Sequence, residues 1–307
     1  MGEGQEGGKG QRPYTLSKLK RSSFINTPTG TLYIIATPIG NLADISSRAI
    51  ATLNTVDAIA AEDTRHSLRL LQHFNITTPL FALHEHNERD SAVRIIERLQ
   101  AGQSLAIISD AGTPLISDPG YHVVKAAHAA DINVCPIPGP CALIMALSVA
   151  GLPTDRFIFE GFLSAKSTAR QLQLQALAKE PRTIVLYEAP HRIIDLLVDL
   201  ITLFGPTREM VIARELSKTF ETIKTGTTAS IHDWVLSDKN QQKGEFVVLI
   251  KGFENEQATI SDEVLKILDI LVAEKLPLKQ AVSLCAKITD HSKNKLYQLA
   301  LQRYHHE

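Results

Sequence analysis

Hydrophobic and polar positions repeat on two periods along the first half of the chain. Short runs rich in Val, Ile, Leu and Ala predict buried strands, and the stretches between them carry apolar residues at helical spacing. Strands that alternate with helices form a mostly parallel sheet covered on both faces. Five strands are predicted at 31–37, 57–61, 79–84, 104–109 and 133–138, within an N-terminal α/β lobe that spans residues 30–150.

Two details of these helices follow from single residues. Asp44 precedes the pattern "ISSRAIATLNTV" and is predicted to cap that helix at its N-terminus. In "ERDSAVRIIERLQ", the apolar residues Val93, Ile95, Ile96 and Leu99 are close to the spacing of one helix face. Both stretches therefore favour helices that cover the predicted sheet.

The pattern changes at "GLPTD", residues 151–155. Five strands are predicted beyond it, in "RFIFEGFL", "RTIVLYE", "EMVIARE", "FETIKTG" and "GEFVVLIKG", with helices at 166–180 and 190–203. Two of the last three strands are hairpin-like, which predicts a mixed-sheet α+β lobe over residues 151–252.

A third unit follows the polar stretch "FENEQATIS". Residues 258–307 contain three helical patterns and no strand, and Ser292 is placed to cap the last helix. This predicts a helix-turn-helix-like domain, with a plain three-helix cap as the alternative.

Composition sets the class of protein. The chain has 307 residues, of which 44% are hydrophobic and 21% charged, and it contains no apolar run long enough to cross a membrane. Residues 1–29 are polar and rich in glycine, which predicts a disordered tail and no secretory signal. The three cysteines have no metal-ligand spacing, so we expect a cytoplasmic protein without a metal site.

Charge is unevenly distributed near the C-terminus. The net charge is −1, but residues 252–274 carry six acids and one lysine, while residues 275–307 carry six lysines or arginines and two acids. The simple interpretation is that opposite charges solvate neighbouring helices. The alternative is a basic patch for nucleic acid, and in that case Lys287, Lys293, Lys295 and Arg303 are predicted to face a phosphate backbone.

Turn-forming and polar residues follow every predicted strand of the first lobe. Because ligands bind at the carboxyl ends of strands in open parallel sheets, these five loops predict one shared cleft. Asp63 and Ser46 could instead simply cap helices, and Gly139 could simply turn the chain. The loops are 37–41, 62–65, 84–88, 109–121 and 137–140.

Several ligand classes are excluded by missing motifs. The chain has no G-x-G-x-x-G after its first strand, no phosphate-binding G-x-x-x-x-G-K-[ST], no H-E-x-x-H and no G-x-S-x-G. His84 and His86 could bind zinc only with a third ligand, for which no spacing is evident. Closely approaching glycines with hydroxyls and few cations suit a ligand that is polar, adenosine-like and poor in phosphate.

The second lobe adds a string of polar residues. Solvated helix faces readily explain Lys166 and Arg170, but they do not explain "YEAPHR" (187–192), which follows an apolar strand and is predicted to face the cleft. "RELSKTFE" (214–221) follows a later strand in the same way.

These motifs together resemble the tetrapyrrole-methylase-like superfamily and, more narrowly, a family of ribosomal RNA 2′-O-methyltransferases. The resemblance rests on "GTLYIIATPIGNLADIS", "AEDTR", "HEHNE", "SDAGTPLISDPGY", "PIPGP", "GFL", "YEAPHR", "RELSKTFE" and "GEFVVLI", which occur in this order. It extends from Gly30 to about Lys251, and the C-terminal helices resemble the helix-turn-helix appendix of that family.

The resemblance implies a two-lobed tetrapyrrole-methylase-like fold with S-adenosylmethionine folded between the lobes. It also implies a homodimer that methylates the ribose of a cytidine in the decoding region of 16S ribosomal RNA, within the 30S subunit. The superfamily's Gly-Asp-Pro cofactor loop is Gly112-Thr113-Pro114 here, so Asp110 or Asp118 would have to supply the missing charge. The cofactor residues implied are Pro38, Asp110, Gly112, Thr113, Pro114, Ser117, Cys141, Ala142, Tyr187, Glu188 and Leu216.

Catalysis on a ribose hydroxyl needs a group that accepts its proton or stabilises its alkoxide. A lysine with a carboxylate neighbour is favoured over a histidine. Two alternatives remain open, a precorrin methylase and a non-catalytic RNA-binding assembly protein. The catalytic candidates are Lys218, Glu62, Asp63, Lys166 and His86, and the predicted substrate contacts are Arg65, His84, Asn87, Arg170, Arg192, Lys287, Lys293 and Lys295.

Overall fold

A computed structural model describes residues 29–84, 86–254, 262–289 and 291–304. The predicted N-terminal tail therefore lies almost entirely outside the described residues, as does most of the polar stretch before the C-terminal helices. The described chain forms two compact units. The first extends to Met145 and includes the short segment Leu216–Thr219, and the second comprises Ala146–Glu215 and the chain from Phe220 onward.

The first unit is built on five parallel strands in the order β3-β2-β4-β1-β5. This arrangement confirms the parallel α/β sheet that the alternating pattern predicts. The strands are β1 Thr31–Ile35, β2 Ala58–Ala61, β3 Leu80–Ala82, β4 Leu105–Ile108 and β5 Asn133–Ile137; the helices are α1 Ser47–Thr55, α2 Thr64–His73, α3 Glu88–Gln100, α4 Tyr121–Ala129 and α5 Ala142–Ala150, which continues into the second unit.

Both faces of this sheet are covered by helices. Successive residues of a strand point to opposite faces, so Leu105 and Ile107 pack with α3 and α4, while Ala106 and Ile108 pack with α1 and α2. Strand β4 is fully buried because it lies in the middle of the sheet. Its carboxyl end therefore opens at the centre of the loop-bearing edge.

Two predictions about the helices of this unit are wrong. The N-cap of α1 is Ser46, whose hydroxyl accepts from the Ala49 amide at 3.1 Å, whereas Asp44 ends a short 3-10 turn and binds the Ser217 hydroxyl. On α3 the buried apolar face is formed by Ala92, Ile95 and Leu99, and Val93 is 60% exposed. In both cases a residue close by in the sequence takes the predicted role: Ser46 caps α1, and Ala92 takes the buried position on α3.

The second unit contains a mixed five-stranded sheet in the order β6-β7-β10-β8-β9. Only β6 and β7 are parallel, and β8 and β9 form an antiparallel hairpin, as the sequence predicts. The helix α8 was not predicted. The elements are β6 Phe157–Phe162, α6 Ser167–Leu177, β7 Thr183–Glu188, α7 Ile193–Phe204, β8 Glu209–Arg214, β9 Thr222–Thr227, α8 Thr228–Ser237 and β10 Phe246–Ile250.

Helices α6 and α7 are joined by a buried ion pair. The Arg170 Nε atom lies 2.7 Å from Asp199 Oδ2, and both side chains are more than nine-tenths buried. Gln171 donates to the other carboxylate oxygen of Asp199, also at 2.7 Å. The prediction of a solvated face at Arg170 is therefore wrong, because its guanidinium belongs to the interior of this unit.

Three C-terminal helices surround a small core of their own. They are α9 Asp262–Ala273, α10 Leu278–Thr289 and α11 Lys293–Tyr304, and Leu268, Cys285 and Leu296 are fully buried among them. No helix among the described residues has the length and apolar content that a membrane span requires.

The basic residues of these helices are not equivalent. Lys287, Lys293 and Lys295 are exposed. Arg303, in contrast, donates twice to the carboxylate of Asp269, at 3.0 and 3.1 Å. The expectation that Arg303 is free to face phosphate is therefore wrong, because α9 already supplies an anionic partner.

The buried pair gives a stability prediction. We expect Asp199→Ala to lower the free energy of unfolding by about 3 kcal/mol, because it leaves the Arg170 charge buried without a partner. Asp195→Ala, an exposed position on the same helix, is the matched control and should cost under about 1 kcal/mol. Urea unfolding of both variants provides the measurement, and equal losses would contradict a structural role for the pair.

Candidate active site

A pair of backbone hydrogen bonds joins the loops that follow β1 and β4. The Thr37 amide donates to the Gly112 carbonyl at 2.8 Å, and the Gly112 amide donates to the Thr37 carbonyl at 3.0 Å. The Thr37 side chain is fully buried and donates to the Ser109 carbonyl at 3.1 Å. The two central strand ends are therefore held together immediately beyond the sheet.

The loop at 109–113 is also bonded to the loops on either side. The Thr113 hydroxyl donates to the Pro140 carbonyl at 3.0 Å, which ties in the loop after β5. The Asp110 carboxylate accepts from the Asp63 amide at 3.1 Å, which ties in the loop after β2. Four strand ends are thus connected through the segment 109–113, in agreement with the predicted convergence of loops.

Several carboxylates lie at this edge of the sheet. Burial, with added repulsion from Asp110, raises the pKa of Glu62. Burial and the nearby charge of Glu62 raise the pKa of Asp118 to about 7. Asp63 differs, since it caps α2 by accepting from the Arg65 and His66 amides, and the hydrogen bonds from Arg65 hold its pKa below the usual range. Of the two carboxylates proposed as catalytic, Glu62 is the better proton acceptor.

The loop from Gly112 to Gly120 has an unusual backbone. Leu115 and Ser117 have φ values of 72° and 68°, a region that side chains with a Cβ rarely occupy. Gly120 has a φ of 131°, and a Cβ there would lie 2.8 Å from Leu115 Cδ1. Such conformations cluster at ligand-binding sites, where the surrounding structure holds them. Ser117, a predicted cofactor residue, is exposed in this loop.

The segment Leu216–Thr219 lies against the loop after β1. A side chain at Gly40 would overlap the Lys218 Cγ atom and approach the Leu216 carbonyl to 3.2 Å. The Ser217 hydroxyl binds the Asp44 carboxylate. Lys218, a catalytic candidate from far along the sequence, is thereby placed at the carboxyl end of β1, even though the predicted boundary at 151–252 assigned it to the second lobe.

The loop after β3 folds on its own polar groups. Asn87 Oδ1 accepts from the His84 amide at 2.9 Å, and its Nδ2 donates to the Ala82 carbonyl at 3.3 Å. His84 and His86 are exposed, with ring centroids 6.2 Å apart. The amide of Asn87 therefore shapes this turn, while the two histidines face outward. No group of three potential metal ligands occurs among the described residues.

In the second unit, the "YEAPHR" loop surrounds a buried carboxylate. Glu188 is 2% exposed, and its Oε1 accepts from the Ala189 amide at 2.8 Å and lies 3.1 Å from Arg192 Nε. Arg192 also donates to the Leu163 carbonyl at 2.6 Å. The other oxygen, Oε2, is buried without a hydrogen-bond partner among the described residues, and burial raises the pKa of this carboxyl. This loop therefore holds an unsatisfied acceptor.

The remaining predicted residues divide by exposure. Lys166 is exposed before α6, and Arg65 is exposed on α2 in a weak 3.4 Å pair with Asp63. Tyr187 packs edge-on against Phe159 and Phe162. Pro38, Pro114 and Leu216 are buried, and Cys141 and Ala142 are partly buried at the start of α5.

Sequence reasoning missed two residues that organise the site. Thr37 was noted only as part of a loop, and its buried bonds to 109–112 depend on partners more than seventy positions away. Glu88 is 5% exposed and accepts from the Gly120 amide at 3.1 Å and the His122 amide at 2.6 Å, at the N-terminus of α4. A carboxylate at a helix start is favourable, but nothing local indicates which helix it serves.

The fold and the loop-bearing edge define a class of protein. A model of the tetrapyrrole (corrin/porphyrin) methylases matches residues 31–232, and the chain therefore belongs to this family of S-adenosylmethionine-dependent methyltransferases. A crystal structure of uroporphyrin-III C-methyltransferase from Thermus thermophilus superposes with a TM-score of 0.51 at 17% identity, covering 72% of this chain and 94% of that one. At this identity the likeness shows the fold alone.

Within that family the chain is similar to proteins with a narrower name. Ribosomal RNA small subunit methyltransferase I from Pseudomonas aeruginosa is 60% identical over 276 residues, covering 89% of this chain and 98% of that protein. The protein of the same name from Escherichia coli O157:H7 is 50% identical, covering 93% and 99%. Residues 258–303 match a model described as the RsmI C-terminal HTH domain.

A glycine substitution tests the site at 109–113. Gly112 has a φ of 87°, and a Cβ there would come within 3.3 Å of Ile39 Cγ2. We expect Gly112→Val to lower the affinity for S-adenosylmethionine by at least about tenfold, a loss of about 1.4 kcal/mol. The valine side chain would crowd Ile39 and strain the backbone of the loop.

Gly205→Val is the matched control for this prediction. Gly205 has a φ of 89° and ends α7, and no atom of the described residues lies within 4 Å of its Cβ position. Both variants should lose stability from backbone strain, but only Gly112→Val should lose affinity in calorimetry carried out with excess chelator. Full affinity in the Gly112 variant would remove this loop from the cofactor site.

Proposed function

We propose that the protein transfers a methyl group from S-adenosylmethionine to the ribose 2′-hydroxyl of a cytidine in the decoding region of 16S ribosomal RNA. The observation that carries this proposal is the 60% identity to a ribosomal RNA small subunit methyltransferase I across 98% of that protein. The match at residues 258–303 extends the agreement to the C-terminal helices. The proposal therefore covers both the catalytic fold and its appendix.

The residues at the loop-bearing edge fit such a cofactor. S-Adenosylmethionine supplies an activated methyl group on a sulfonium. Gly112 has a φ of 87° and lies where a Cβ would come within 3.3 Å of Ile39 Cγ2, and Asp110 offers a carboxylate that can accept from ribose hydroxyls. Glu62 and Asp118 add negative charge near a site for a cationic ligand. In the second unit, Glu188 Oε2 has no hydrogen-bond partner among the described residues, and the resemblance implies that Glu188 is a cofactor residue.

The chain itself must position the hydroxyl and accept its proton. A ribose hydroxyl is a weak acid, so the developing oxyanion needs a positive partner and the proton needs an acceptor. We assign the first role to Lys218, which lies against the loop after β1, and the second to Glu62, whose raised pKa makes it the stronger base. Asp63 serves as the cap of α2 in this scheme.

Transfer of a radiolabelled methyl group tests the proposal. The protein is supplied with labelled S-adenosylmethionine and, separately, with 30S subunits, naked 16S RNA or a precorrin. We expect label in RNA at a single cytidine, where the methylated ribose resists alkaline cleavage. Label in the precorrin alone would establish the tetrapyrrole alternative, and no label in any substrate would favour a non-catalytic RNA-binding protein.

The setting of the reaction is also part of the proposal. We expect the substrate within the 30S subunit, the protein in the cytoplasm where ribosomal RNA is found, and a homodimer whose interface lies in the α/β units. The exposed apolar residues Ile144 and Val149 on α5 are consistent with such an interface. Sedimentation of the purified protein measures the oligomeric state.

The catalytic assignment predicts a selective loss of rate. We expect Lys218→Ala to lower kcat by about 100-fold or more while the affinity for S-adenosylmethionine, measured by calorimetry, stays close to that of the wild type. Lys224→Ala removes an exposed lysine from the same hairpin and should keep the wild-type rate. A wild-type kcat in the Lys218 variant would rule out this role.

We assign the C-terminal helices to RNA docking. Lys287, Lys293 and Lys295 are exposed, as are Lys275 and Lys279, whereas Arg303 is held by Asp269, and we assign the phosphate contacts to the first three lysines. A cation that neutralises a phosphate releases counterions and makes binding salt-dependent. The alternative is a structural cap whose lysines only maintain solubility.

Replacing all three lysines by glutamine distinguishes the two roles. We expect weaker RNA binding, and a plot of log Kd against log salt concentration that is flatter by about 2 to 3. The matched control replaces Lys179, Lys224 and Lys239, which are also exposed, and so makes the same change in net charge. Equal slopes for the two triple variants would support the cap.

A further inference from the structure

A polar cavity lies in the first unit, beside the loop after β3 and the start of α4. Its volume is about 510 Å³, within the usual range for small-ligand sites. None of the cofactor residues implied by the resemblance lines it. The lining residues are His86, Glu88, Arg89, Asp90, Tyr121 and His122.

The cavity is lined by aromatic rings, one of which is unusually exposed. Tyr121 is 60% exposed, although buried aromatics normally gain the most from packing. Its ring meets the His122 ring edge-on at 5.3 Å, and the Lys125 ammonium lies 6.0 Å from the ring centroid. His86 adds a further exposed ring. A flat π surface that stays open to solvent is what a stacking ligand requires.

Hydrogen bonds join α3 to the start of α4 beside the cavity, and the lining is not strongly cationic. The buried Glu88 carboxylate accepts from the Gly120 and His122 amides, which fixes the start of α4 against α3. Arg89 in the lining and Lys125 beside Tyr121 contribute two positive charges, and Asp90 and Glu88 contribute two negative ones. A phosphate would meet these carboxylates, so the balance of charge favours a neutral ring that bears both donors and acceptors.

We propose that this cavity receives one unpaired nucleobase of the RNA substrate, stacked on Tyr121. Asp90 can accept from an exocyclic amine, and Arg89 and His86 can bond ring nitrogens or carbonyls, as in recognition of splayed single-stranded bases. The inference rests on the proposed function and deepens it, because it assigns an RNA-binding subsite to the catalytic unit in addition to the C-terminal helices.

Direct RNA binding tests this subsite without relying on methyl transfer. The probe is a decoding-region 16S RNA fragment, and its Kd is measured for the wild type, Tyr121→Ala and Tyr121→Phe. We expect Tyr121→Ala to weaken binding about tenfold, as the loss of one stacked base does, and Tyr121→Phe to restore it. Val93→Ala, at an equally exposed residue of α3 outside the cavity, should bind as the wild type does.

A photoreactive phenylalanine analogue at position 121 gives a second readout, and it should cross-link to a base of the same fragment. Wild-type Kd in Tyr121→Ala, or no cross-link at position 121, would overturn the subsite. So would a loss of S-adenosylmethionine affinity in Tyr121→Ala, since the cavity would then belong to the cofactor. A wild type that binds RNA through Tyr121 yet transfers no methyl group would instead contradict the proposed function alone.

Discussion

The two backbone hydrogen bonds between Thr37 and Gly112 are the constraint on which the candidate site depends. Parallel strands deliver their carboxyl ends to one edge of a sheet, but they do not fix the loops that follow. This pair of bonds fixes the loops that follow β1 and β4. Gly112 can form both bonds because it adopts a φ of 87°. The bonds from Thr113 to Pro140 and from Asp63 to Asp110 then extend the same framework sideways.

Much of this framework could be predicted because it follows from local patterns. Each strand of the parallel sheet is a short apolar run, and each loop that follows is polar or carries turn-forming residues, so both the sheet and its loop-bearing edge are recognisable in the sequence. Helix α8 was missed because Ile231, Trp234 and Val235 are residue types that favour strands. A capping box between Thr227 and Ser230 stabilises the N-terminus of this helix.

What could not be predicted is the choice of distant partners. Arg170 and Arg303 are both cations on amphipathic helices, and nothing near them in sequence indicates that Asp199 and Asp269 would bind them. The return of Leu216–Thr219 to the first unit is of the same kind. A side chain's role at the surface depends on which groups the fold brings to it, and that information lies in tertiary packing.

The partners of buried charged side chains differ between the interior of the second unit and the edge of the first. Arg170 is neutralised by Asp199, and the Arg214 guanidinium donates to the carbonyls of Asn240 and Lys243. At the edge of the parallel sheet, in contrast, burial raises the pKa of both Glu62 and Asp118, with added repulsion from Asp110 at Glu62 and from Glu62 at Asp118. Burial of like charges costs free energy, and a cationic ligand bound beside these carboxylates would offset that cost. Under the proposed function, these carboxylates favour the sulfonium of the cofactor, and we assign the cavity at Tyr121 and the C-terminal lysines to the RNA.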